Sequence, residues 1–146
     1  MDTTEPMAPS GPFTPTPSFR LHGPRRHEPP VGQMQCFDFG VEAEALRRES
    51  TWLEKGHNAR TLVKHPDLRM VLIALSTGTG LHESRTDNRI SVQTLSGFVR
   101  LHLDLEDTMV DLPAGRVLVL DKGIAHDLIA LEESIILLSV SWDAPH

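Results

Sequence analysis

Between residues 98 and 105 the chain reads FVRLHLDL, with apolar and polar positions in alternation. Phe98, Arg100, His102 and Asp104 fall on one side, and Val99, Leu101, Leu103 and Leu105 on the other. Successive side chains of a strand point to opposite faces, so this period of two predicts a strand with one face in a core and one in water. Short β-type runs recur at about 60–64, 69–76, 90–95, 108–111, 116–120, 126–131 and 134–141, divided by turn residues. Many short strands with no long helix between them predict an all-β sandwich or barrel built on one core. SIILLSVSW, residues 134–142, begins apolar on both faces and is expected to lie covered on each side. LSG at 95–97 joins ISVQT to FVRLHLDL, and Gly97 is expected to supply the positive φ of a tight hairpin.

Ahead of the strands, VEAEALRRES at 41–50 spaces Val41, Ala45 and Leu46 at helical intervals among strong helix formers, which predicts one short helix. Earlier still the composition changes. Pro6, Pro9, Pro12, Pro15, Pro17, Pro24, Pro29 and Pro30, out of 11 prolines in the chain, precede residue 31. Each fixes φ and removes a backbone donor, so residues 1–30 are expected to form a disordered Pro-rich tail. The organisation read from sequence is therefore a tail at 1–30, a helical lead-in at 31–51 and a barrel at 52–142. RLHGPRRHE at 20–28 puts Arg20, His22, Arg25, Arg26 and His27 together, readable as an anionic contact or, more simply, as a solvated tail.

Charge and composition narrow the partners. The 146 residues carry 14 Lys+Arg against 20 Asp+Glu, a formal charge of −6. That balance offers no broad positive surface for phosphates, so no nucleic-acid partner is expected. The longest apolar stretches, VLIAL at 71–75 and IILL at 135–138, fall far short of the ~20 residues that cross a bilayer, and no membrane partner is expected. The N-terminus, with Asp2 and Glu5, reads as neither a secretory signal nor a transit peptide. Cys36 is the single cysteine, which fits a reducing compartment and a cytoplasmic location. It lies outside the strand runs, where nothing places a histidine beside it to activate a nucleophile. No nucleophile elbow, phosphate loop or paired-cysteine zinc pattern is present.

GRVLVLDKGIAH, from Gly115 to His126, resembles the second signature of the cupin superfamily, G-x5-P-x-G-x2-H-x3-N. Gly115, Gly123 and His126 match, Asp121 stands in place of the proline and Ala130 in place of the asparagine. Upstream, LHESRTDNRISVQTLSG is similar to part of the first signature, G-x5-H-x-H-x3,4-E-x6-G. There His82 takes the first histidine position, Ser84 the second, Ile90 the glutamate and Gly97 the closing glycine. The resemblance covers roughly residues 52–142 and implies a double-stranded β-helix, or jelly-roll barrel, that commonly dimerises.

In that family the resemblance implies a metal held by three histidines and a carboxylate inside the barrel. Imidazoles suit divalent transition metals, and a tightly held ion usually wants three or four protein ligands. His82 and His126 are the metal-ligand candidates; Ser84 offers a weak neutral hydroxyl and Ile90 a hydrocarbon. Glu83, on a regular strand, points away from His82. His57 and His65 are loop candidates, and His102, between Arg100 and Asp104, reads as part of a solvated patch. Met109 and Trp142 read as packing residues.

Two functional readings follow. In the first, the barrel binds a small organic molecule without catalysis, with Ile90, Val92 and Leu128 forming the wall and His82, Ser84 and His126 the polar fixing points. In the second, it is a metal-dependent oxygenase or isomerase in which His82 and His126 hold the ion. A small-molecule ligand and a homodimer are the expected partners.

Overall fold

Nine strands among the described residues form two antiparallel sheets: β1 (His57–Lys64), β2 (Leu68–Leu75), β3 (Gly80–Ser84), β4 (Arg89–Ser96), β5 (Phe98–Leu103), β6 (Thr108–Pro113), β7 (Val117–Leu120), β8 (His126–Ala130) and β9 (Ser134–Ser141). The structure is a computed structural model describing residues 34–84 and 87–142. The tail expected at 1–30, with its basic cluster, lies outside the described residues. One sheet runs β1-β2-β9-β4-β7 and the other β3-β8-β5-β6, the arrangement of a double-stranded β-helix.

The alternation in β5 decides how the sheets face each other. Val99 and Leu101 are fully buried and Leu103 is nearly so, whereas Arg100 and His102 remain half-exposed. With Ile73, Ile90, Val92, Leu120, Leu128 and Ile136 from both sheets they form the core inside the barrel. Leu105 does not join them. The strand ends at Leu103, and Leu105 is exposed in the turn where Glu106 and Asp107 adopt positive φ.

β9 explains why one core becomes two. Ile136 faces the barrel interior, while Ile135 and Leu137, one residue on either side, belong to a second buried cluster outside the sheet. Two helices cover that outer face: α1 (Phe39–Arg48) and α2 (Ser50–Lys55). Asp38 caps α1, its side chain accepting a hydrogen bond from the Val41 amide at 3.1 Å. The sequence led us to expect one helix with Val41 on its apolar side. Instead Val41 is exposed, and Glu42, Ala43 and Leu46 are buried. The burial of Glu42 follows from a partner that helical spacing does not reveal, Arg60 on β1.

Gly97 differs from expectation in a second way. Its φ is +89°, as a turn requires, but β4 and β5 belong to different sheets and do not pair. The glycine carries the chain from one sheet to the other in close contact with the start of β9. A Cβ there would lie 2.3 Å from both the Glu133 carbonyl oxygen and Ser134 Oγ. No helix among the described residues is long and apolar enough to cross a membrane.

Candidate functional site

His126 opens β8 after the turn that contains Gly123, and pairs with Leu103 of β5 on one side and Ser84 of β3 on the other. Its Nδ1 lies 3.3 Å from the carbonyl oxygen of Ile124. A carbonyl only accepts, so this contact favours the neutral tautomer with the hydrogen on Nδ1 and the lone pair on Nε2. The next inward residues of β8, Leu128 and Ala130, are buried.

His82 reaches the same space by a different route. Leu81 pairs with Leu128 and Ser84 with His126, so two residues of β3 oppose the single Asp127. This is a β-bulge. On an unbroken strand Leu81 and His82 would face opposite ways. Here both line one cavity of about 340 Å3, together with Val92, His126, Leu128, Ile73, Ile136 and Leu138. The expected site residues His82, Val92, His126 and Leu128 are thus brought together. Ile90 is buried in the same core but does not line the cavity, and the side chain of Ser84 lies outside the described residues.

Four hydrocarbon walls, Ile73, Leu81, Ile136 and Leu138, were not singled out from sequence. The double-faced apolar pattern of β9 held a partial signal, since its inward positions alternate with helix-facing ones. Nothing marked Leu81, the one apolar residue in GLHES.

Among the described residues, which leave out the Glu83 and Ser84 side chains, the site offers two imidazoles, fewer than the three or four ligands of a tightly held metal. Among the described residues, no group of three or more His, Cys, Asp and Glu side chains is placed to hold an ion. Two imidazoles stand in a hydrocarbon wall, and the position that the resemblance aligns with a carboxylate is Ile90, buried against Leu120 and Val140. A tight site wants at least one ligand more.

The remaining histidines stand elsewhere. His57 begins β1 and is exposed, and His65 follows β1, its amide donating to the Leu68 carbonyl. His102 lies on the outer side of β5, hydrogen-bonded through Nε2 to Asp107, a contact that raises its pKa. Beside it Arg100 Nε donates to Asp111 Oδ1 at 2.6 Å, which raises the guanidinium pKa and lowers that of the carboxyl. Met109, opposite His102 on β6, is 57% exposed rather than packed. Trp142 carries the Arg69 guanidinium 5.3 Å from its ring centroid and borders a second, polar cleft of about 420 Å3 with Asp87, Arg89 and Lys122. Arg89 is paired there with Asp121 at 3.1 Å.

No family model matches the chain, and no curated protein matches it. Solved structures do. A conserved protein of unknown function from Streptococcus pyogenes superimposes with a TM-score of 0.59 at 22% identity, over 84% of this chain and 98% of that one. KdgF from Halomonas sp. gives 0.55 at 20% identity, over 61% and 82%. Salicylate 1,2-dioxygenase from Pseudoaminobacter salicylatoxidans gives 0.63 at 16% identity, over 72% of this chain but only 32% of that longer one. A cupin superfamily protein from Desulfitobacterium hafniense DCB-2 is similar at 0.58. The fold of this chain is the cupin fold, the class to which the sequence signatures pointed.

Proposed function

We propose that the barrel binds a small, largely apolar organic molecule, with the imidazoles of His82 and His126 fixing its polar end. One observation carries this reading: two histidines and six hydrocarbon side chains line a single cavity of about 340 Å3. Ligand pockets of roughly 300–1,000 Å3 are typically built this way, from an apolar wall with a few polar points. Ser84 joins the proposal through its register position opposite His126, and Ile90 as part of the core behind the wall.

The second reading is a metal-dependent enzyme, favoured by two imidazoles from different strands in one cavity. Elemental analysis of the purified protein, compared with His126→Ala, separates the two. The ligand-binding reading predicts no stoichiometric transition metal in either protein, and release of a small organic molecule from the wild type on unfolding. Stoichiometric metal in the wild type that is lost in the variant would overturn it in favour of the enzyme.

We also infer that two copies associate through β7. This strand is the edge of the five-stranded sheet, and its Val117 and Val119 are 55% and 57% exposed. An unprotected apolar edge is a template for strand pairing. Antiparallel pairing about a two-fold axis at Leu118 sets Val117 of each copy opposite Val119 of the other on one face, a self-complementary contact. Light scattering is expected to report a dimer that Val117→Lys with Val119→Lys converts to monomer. A wild-type monomer at high concentration would overturn the inference.

A further inference from the structure

We propose that the molecule bound in the barrel presents a neutral hydroxyl, of the phenol or alcohol class, and donates its hydrogen to Nε2 of His126. The inference rests on the reading of the cavity as a ligand site and adds to it the chemistry of the head group.

The argument begins at Ile124. Its carbonyl lies 3.3 Å from His126 Nδ1 and can only accept, so the contact selects, for the neutral ring, the tautomer with hydrogen on Nδ1. The other nitrogen, Nε2, is then an acceptor. The cavity it shares with His82 is otherwise walled by hydrocarbon, including Leu128, Ile136 and Leu138. Nε2 is not a buried, unpartnered atom, so a ligand that fills the cavity takes it out of water and must replace the hydrogen bond lost.

The partner must bring a hydrogen. An ether or ketone oxygen, even one accepting from His82, would meet this lone pair with another lone pair. A carboxylate would do so with a full negative charge, and no described side chain lining the cavity is formally cationic when the imidazoles are neutral. An ammonium group could donate, but no described carboxylate lines the cavity to offset its desolvation. A hydroxyl on an apolar body satisfies both the acceptor and the wall.

Calorimetric titration of the full chain with para-ethylphenol, its methyl ether and para-ethylbenzoate, in mildly alkaline buffer, tests this. The phenol is expected to bind roughly three- to tenfold more tightly than the ether, the difference one net hydrogen bond makes, and the benzoate most weakly. Long-range proton–nitrogen NMR of His126 should show hydrogen on Nδ1, with the Nε2 resonance moving when the phenol is added. His126→Phe should abolish the phenol's advantage while the ether still binds.

Equal affinities for phenol and ether, or hydrogen on Nε2 in the free protein, would overturn the hydroxyl assignment and leave the ligand-site reading standing. Failure of all three probes to bind would overturn both.

Discussion

Arg60 Nη1 stands 3.1 Å from Glu42 Oε1, with the two side chains only 11% and 8% exposed, so a buried ion pair ties α1 to β1. Arg60 also bonds Glu49, and Asn58 Nδ2 donates to Glu49 and to the Leu46 carbonyl. The helical lead-in is therefore fixed to the barrel by polar contacts as well as by Ala43 and Leu46 against the sheet. Replacing one partner of such a pair leaves the other charge buried alone. Arg60→Met is expected to destabilise the protein by about 3–5 kcal/mol, read as a lower urea midpoint at unchanged slope.

Gly97 and Gly78 have nearly the same backbone, with φ of +89° and +84°, but different surroundings. A Cβ on Gly97 would sit 2.3 Å from the Glu133 carbonyl oxygen, whereas one on Gly78 would meet nothing within 4 Å. Gly78→Ala therefore carries only the left-handed penalty, about 1–2 kcal/mol. Gly97→Ala adds a backbone collision where the chain changes sheets, and is expected to lose more than twice as much or to fail to fold. Chemical denaturation of both variants checks the ratio; equal losses would contradict the close approach.

These glycines show how much the sequence disclosed. A turn at Gly97 was legible because positive φ is a local demand, but which strands the turn would separate depended on pairing across the whole chain. Val99, Leu101 and Leu103 were legible because period two survives wherever a strand has one wet face. β3 was missed because GLHES contains one apolar residue and lies at a sheet edge, where little burial is needed. The burial of Glu42 is not legible in the helical spacing of Val41, Ala45 and Leu46, because the charge that admits it to the interior is supplied by Arg60 on another element. In the site, the histidines stood out by spacing and chemistry. Ile73, Ile136 and Leu138 did not, since nothing in an apolar residue distinguishes a cavity wall from solid core. The bulge that brings His82 beside Leu81 is a property of strand register, invisible in either strand alone.

His102 supplies a pH dependence. Its hydrogen bond to Asp107 raises its pKa above the ordinary 6.5, against partial desolvation and with help from the charges of Asp107, Asp127 and Asp104. A raised folded-state pKa means that the protonated ring stabilises the fold. This stabilisation is fully present below about pH 6.5 and is lost as pH rises through the folded value. Asp107→Asn should bring the NMR titration midpoint of His102 back toward the ordinary value and flatten this part of the stability profile. Asparagine tolerates the positive φ of 53° at this position, so the turn itself should survive. An unchanged midpoint in the variant would assign the shift to another cause.

Val92 and Val99 are both almost wholly buried, at 2% and 0% exposure, yet only Val92 lines the cavity. Isoleucine at either position keeps the β-branch that suits a strand and adds one methylene. At Val92 the added group enters open space. Val92→Ile is expected to raise stability by about 0.8 kcal/mol, the value of one buried CH2, and to weaken binding of a small apolar probe by occupying its volume. Val99 does not line that cavity, and the same change there should force neighbouring side chains off their rotamers at a loss of roughly 1–3 kcal/mol. Urea unfolding of the two variants therefore measures whether the barrel interior is open beside Val92. Matching losses at both positions would mean that the cavity closes in solution, and with it the site.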